Sequence, residues 1–203
     1  PVRAANPFVG AGNYPRAVTY FEQRRVFAGT TNAPQTLWMT RSGTESNMDT
    51  SLPLREDDAI SFRIAAREAN TIRHLVPVQD LVVMTQSAEW RVNGDVSPTN
   101  LSVKPQSFVG AGLAAPLVVN NNMLFVAERG GHVRELGFSN DAGGYVTGDL
   151  SLRSPHLFDG LDIVDTAQSK APYPVCWFVS TSGLLLGLTY IPEQQVYAWH
   201  RHD

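Results

Sequence analysis

Short apolar bursts joined by tight turns, recurring at a near-constant spacing, constrain the fold of this chain more than any other feature. Leu81-Val82-Val83-Met84-Thr85 turns at Gln86-Ser87-Ala88 into Glu89-Trp90-Arg91-Val92. Met123-Leu124-Phe125-Val126-Ala127 turns at Arg129-Gly130-Gly131 into His132-Val133-Arg134-Glu135-Leu136. Cys176-Trp177-Phe178-Val179-Ser180 turns at Ser182-Gly183 into a second apolar run over residues 184–190. None of these runs has the i, i+3, i+4 spacing of an amphipathic helix. Each reads as a strand, a turn rich in Gly or Ser, and a second strand ending in a polar or aromatic residue. The hairpin centres fall near residues 87, 130 and 181, about 40–50 residues apart, the period of propeller blades. A looser fourth hairpin runs from Arg25-Val26-Phe27-Ala28-Gly29 through a loop at 31–35 to Thr36-Leu37-Trp38-Met39-Thr40. Residues 59–64 alternate with period two, and residues 195–200 supply one more strand.

Hairpins of this kind leave sheet edges bare, and closing sheets radially is one established remedy. The expected fold is therefore all-β, built of antiparallel blades of a partial β-propeller, with very little helix. A single propeller-like domain over residues 1–203 is expected. The best helix candidate is residues 149–154, with Asp149 as N-cap and Pro155 limiting its length. Residues 67–70 offer a second helical turn, and residues 41–58 read as a long polar surface loop. Gly 16 and Pro 13 fit a turn-rich chain.

Composition removes several function classes. A net charge of −3 does not suit a protein that coats nucleic acid. The single cysteine, Cys176, cannot form an intrachain disulfide, and its neighbours Val175 and Trp177 make it a small buried apolar residue. No stretch reaches the ~18 apolar residues of a membrane-spanning helix, and no signal peptide opens the chain. The expectation is a soluble protein made in a cytoplasm, and the abrupt ends suggest a piece of a longer one. The sequon Asn100-Leu101-Ser102 has no secretory context.

The motifs that could carry chemistry are few. Phe-Val-Gly-Ala-Gly occurs twice, at residues 8–12 and 108–112. Gly110, Gly112 and Ala115 match G-x-G-x-x-A as letters. A dinucleotide loop must follow a strand and open a helix that carries the pyrophosphate. Pro116 and an apolar run follow the second copy, Tyr14-Pro15 the first, so both read as lead-ins to a blade. His200 and His202 fall on one face of a strand, but a structural zinc needs two more ligands and no CxxC or HExxH occurs. Glu56-Asp57-Asp58 reads as a solvated acidic loop, since no second carboxylate cluster accompanies it. Ser87 and Ser182 are turn residues, and no G-x-S-x-G or phosphate-binding loop is present. Trp38, Trp90, Trp177 and Trp199 all fall in strands, which suits core or inter-blade packing. Arg24-Arg25 and Arg73-His74 read as polar positions facing a neighbouring blade or subunit.

Several runs resemble a known family. They include Asn13-Tyr14-Pro15-Arg16, Gln23-Arg24-Arg25-Val26-Phe27-Ala28-Gly29-Thr30 and Pro34-Gln35-Thr36-Leu37-Trp38-Met39. Ile72-Arg73-His74-Leu75-Val76-Pro77, Arg129-Gly130-Gly131-His132-Val133-Arg134-Glu135-Leu136 and the run from Glu193 to His202 extend the match in co-linear order. Together they resemble the nozzle proteins of short-tailed bacteriophages, also called tail tubular protein B or packaged-DNA stabilisation protein, with their prophage relatives. The resemblance implies propeller-like β proteins that assemble as a ring, typically of six copies, below the portal and its adaptor. It implies distal tail proteins as further partners and double-stranded DNA passing through the lumen without sequence-specific binding. It implies a virion location and no catalytic residues to carry over; no membrane, cofactor or metal is expected. Members are longer than this chain, so it implies a piece of a longer tail protein, and Pro155 stands where a helical residue is expected. The resulting expectation is a non-enzymatic structural component of the tube for genome ejection. The alternative is a receptor- or glycan-binding tail module.

Overall fold

The computed structural model describes residues 6–65, 70–93 and 96–202. The chain divides into two compact units, Pro1–Phe108 and Val109–Asp203. Unit 1 holds a sheet of β1 (Ala17–Phe21), β2 (Arg24–Ala28), β3 (Thr36–Met39) and β4 (Ile60–Arg63). Its second sheet is β5 (Ile72–Pro77), β6 (Leu81–Thr85), β7 (Glu89–Val92) and β8 (Val103–Ser107). Unit 2 holds β9 (Leu117–Val119), β10 (Asn122–Val126), β11 (Val133–Ser139) and β12 (Gly144–Asp149). Its second sheet is β13 (Ile163–Ser169), β14 (Val175–Ser180), β15 (Leu185–Ile191) and β16 (Val196–His202). In every sheet, strands adjacent in sequence pair antiparallel, which is the meander of a propeller blade. The fold is all-β as expected, and none of the sheets closes on itself.

The central hairpin of each sheet is one of the four legible in the sequence: β2–β3, β6–β7, β10–β11 and β14–β15. Alternation then sorts their side chains. In unit 1, Val26, Leu37, Met39 and Ile60 of the first sheet share one core with Ile72, Leu81, Val83 and Trp90 of the second. In unit 2, Leu124, Val126 and Val133 share a core with Phe178, Leu186, Leu188 and Tyr190. Burying one such side chain stabilises the fold by about 1.5–3 kcal/mol, so a charge placed at Leu81 or Phe178 would break its unit. One glycine per unit lets the sheets approach. Gly29 has φ +63°, and a Cβ there would come within 2.8 Å of the Ile72 carbonyl oxygen. Gly131 also has φ +63°, and a Cβ there would strike the Leu161 carbonyl at the entry to β13. Only glycine satisfies both the angle and the gap.

Two helix expectations need correction or qualification. Residues 149–154 are not helical: β12 runs through Asp149, whose carboxylate then accepts the Ser151 N–H at 2.9 Å in a local turn. The helical turn is a 3₁₀ element at Pro155–Leu157, so Pro155 opens it instead of ending it. Ring sterics exclude the preceding Ser154 from helical angles (φ −141°, ψ 51°), and proline suits the first helical position. The candidate at 67–70 falls on residues 67–69, outside the described residues. Strands β5, β8, β12 and β13 have no counterpart among the sequence expectations. All four are edge strands, which need no continuous apolar run; β8 even carries Pro105.

Candidate functional site

The repeated pentapeptide is structural in both copies. Residues 8–12 and 108–112 each end the same distance before the first strand of a unit, at Ala17 and Leu117. In unit 1, the Asn32 N–H donates to the Gly12 carbonyl at 3.0 Å, and Asn32 Nδ2 to the Ala11 carbonyl at 3.2 Å. In unit 2, the Gly112 N–H donates to Val126 at 2.7 Å and the Glu128 N–H to Gly110 at 2.9 Å. Each copy is thus strapped beside the end of a central hairpin. Neither opens a helix, so neither offers a pyrophosphate the N–H groups it would need. The flanking phenylalanines differ. Phe8 packs on Phe27 (4.9 Å between centroids) and Trp38 (5.4 Å), whereas Phe108 is 78% exposed.

The acidic cluster is solvated at Glu56 and Asp57, as expected, but not at Asp58. Asp58 is fully buried and accepts the Ser51 N–H (2.8 Å), the Ser51 hydroxyl (2.9 Å) and the Arg55 N–H (2.9 Å). Burial pushes its carboxyl up, but these donors and nearby Arg41 outweigh that and hold it below the usual range. Arg24, also buried, donates to the carbonyls of Thr40 (2.8 Å), Asp58 (2.6 Å) and Glu56 (2.7 Å). The 41–58 loop is therefore tied to β2 by a buried cation and closed on itself by a buried anion. Arg24 serves its own sheet and not a neighbouring subunit. Arg25, on the opposite face, pairs with Glu45 at 2.6 Å and donates to the Tyr20 hydroxyl. An open depression of about 540 Å³ beside this knot is lined by Glu22, Arg24, Glu56, Asp57, Ser97 and Asn100.

Unit 2 contains a polar group the sequence did not announce. Asn122 Nδ2 donates to Glu135 Oε1 (2.6 Å) and to the Tyr190 hydroxyl (2.8 Å), and that hydroxyl donates to Glu135 Oε1 (2.7 Å). The triad joins β10 and β11 of one sheet to β15 of the next. Burial pushes the Tyr190 phenol well above its ordinary value; the Asn122 hydrogen bond pulls it back and Glu135 adds to the rise. Only cross-sheet packing brings Asn122 and Tyr190 together, so no local pattern reveals them.

His132 Nδ1 lies 3.1 Å from Asp149 Oδ2, which Arg134 also approaches at 3.6 Å. This is the nearest approach to a base with an orienting carboxylate. The adjacent hydroxyl, Ser151, is buried and accepts the Val133 N–H at 2.8 Å, so it is a tie within the sheet, not an attacking group. Cys176 is buried and its thiol is pushed up to about 11 by desolvation, an inert thiol at neutral pH. Ser87 and Ser182 lie in turns as expected; Ser182 Oγ is 2.8 Å from Ser180 Oγ.

His200 and His202 do share a face of β16, with His200 Nδ1 2.7 Å from His202 Nε2. Trp177 on β14 meets both rings edge-on, at 5.6 and 5.1 Å. Trp177 thus differs from Trp38 and Trp90, which are buried, and from Trp199, which packs on Phe158 and Phe178 and donates to the Leu150 carbonyl at 2.9 Å. Among the described residues, no group of three or more His, Cys, Asp or Glu side chains is placed to hold a metal ion. Neither a protein-family model nor a curated protein matches the chain.

Proposed function

We propose that the chain is a structural, non-enzymatic component of a short-tailed phage's tail, a nozzle element whose blades form part of the wall of the genome-ejection channel. The observation that carries this reading is the succession of four meander blades. Arg24, Asp58 and Glu135 hold loops and sheets together, as a wall under mechanical load requires. The family resemblance of residues 13–16, 23–30 and 129–136 supports the same reading. A net charge of −3 suits a conduit, because each strong phosphate contact would retard the passing duplex. In this role the chain acts as part of a ring of copies, between portal and adaptor on one side and distal tail proteins on the other.

Immunogold labelling of intact phage particles with antibody raised against the 203-residue chain tests the reading. Label below the head, at the tail, is the expected result. Particles that never label, with the antigen confined to the host cell, would overturn it. Binding of the purified chain to host polysaccharide on a glycan array would favour the receptor-binding alternative. Clearing of a cell-wall suspension would overturn the non-enzymatic assignment.

A further inference from the structure

We infer that His200 and His202 form a surface chelate for a divalent transition ion with tetragonal preference, copper(II) or nickel(II), independently of the phage reading. The pair is built, not incidental. Strand periodicity puts both imidazoles on one face of β16. Gly187 lies directly opposite His200 in the β15–β16 register. A Cβ at position 187 would collide with the His200 ring, so only glycine leaves the floor on which that ring rests. Trp177, across from Gly187 on β14, walls both rings. His202 is exposed and gives an ion access from solvent.

The two facing nitrogens are 2.7 Å apart, so one proton at most lies between them. A small rotation of both rings turns the two lone pairs from each other to a common point, where an ion replaces that proton. Two imidazoles suit copper(II) or nickel(II), which imidazole binds well and which stand high in the affinity order of divalent ions, whereas a structural zinc takes four protein ligands. Among the described residues no third His, Cys, Asp or Glu joins the pair, so the chelate rests on two protein nitrogens. Binding is therefore reversible, and it weakens with acid as protons compete for both imidazoles.

The test is titration of the 203-residue chain with copper(II) sulfate and with nickel(II) chloride, at a pH about one unit above the ordinary imidazole pKa of ~6.5. Two readouts are used: tryptophan fluorescence, and the nitrogen hyperfine pattern of the bound copper. Saturable quenching at one equivalent, with hyperfine splitting from two nitrogens, is expected. His202→Ala, at the exposed end of the strand, should weaken binding about tenfold or more. Gly187→Val should do the same with both imidazoles retained, by displacing the His200 ring. Trp177→Phe should remove most of the quenching and leave the copper spectrum intact. His74→Gln, in the other unit, should change neither readout. A titration that fails to saturate, or saturable binding unchanged by His202→Ala and Gly187→Val in chains shown folded by circular dichroism, would overturn the assignment.

Discussion

The same pentapeptide precedes the first strand of unit 1 and of unit 2, and each unit folds into two meander blades, yet the two use polar side chains for different purposes. Unit 1 connects β3 to β4 through residues 40–59, and two of its buried charges, Arg24 and Asp58, hold that excursion against its own sheet. Unit 2 makes the equivalent connection, β11 to β12, through residues 140–143. With no long excursion at that point, its half-buried Asn122 and Glu135 reach the buried Tyr190 of the next sheet. A long loop crossing a blade leaves backbone carbonyls without strand partners, and a buried guanidinium can satisfy several at once. Short turns leave no such debt, so polar side chains become free to fix the packing of two sheets.

The sharpest way to break this comparison is Arg24→Ala. It leaves three loop carbonyls unsatisfied and should cost about 3 kcal/mol, with faster hydrogen exchange across residues 41–58 and unchanged exchange in unit 2. Tyr190→Phe is the counterpart in unit 2. Loss of its hydroxyl should cost about 1–2 kcal/mol in urea unfolding, and exchange in unit 1 should stay as it was. If either substitution loosens both units equally, the division of labour is wrong.

The twin phenylalanines give a finer comparison. Phe8→Ala removes the contact with Phe27 and Trp38 and should cost about 1 kcal/mol. Phe108→Ala, at an exposed position, should change stability by less than about 0.5 kcal/mol. Equal costs in thermal melts would show that the two pentapeptides are held alike.

The smallest effects separate the units by pH. Asp58 has a folded-state pKa below its ordinary 3.8, so its stabilisation is present above 3.8 and is lost as pH falls further. Unit 1 should lose exchange protection there first. Tyr190 and Cys176 have folded-state values above their ordinary 10.0 and 9.0. For both, the unfolded chain ionises first, so stability falls as pH rises past those values. Unit 2 should loosen first in alkali, and Tyr190→Phe should remove part of that dependence.

Much of the fold was legible because the central strands are apolar runs joined by short turns. Residues 81–92 were assigned strand for strand, since β6 is buried along its whole length and must be continuously apolar. The edge strands were less legible: β13, reading Ile-Val-Asp-Thr-Ala-Gln-Ser, is held by one neighbour and half exposed. The 149–154 segment misleads because Asp149 does accept a backbone N–H, from Ser151, but at a turn. Within the acidic run at 56–58, Asp58 alone departs from a solvated loop, and nothing local shows the donors from Ser51 and Arg55 that bury it. The His200–His202 pair was visible as spacing, while its support by Gly187 and Trp177 was not.

By itself the sequence determined the local geometry of this protein: period-two alternation, turn glycines and apolar bursts allow only antiparallel hairpins, because the backbone's two soft angles answer to near neighbours. Tertiary structure alone decided which polar groups became buried and with whom. Arg24 found carbonyls some 16 to 34 residues away, and Asn122 found Tyr190 on another sheet. Those partnerships depend on how sheets stack, where the gain from pairing must exceed the cost of removing each polar group from water, and no short stretch of residues encodes that balance.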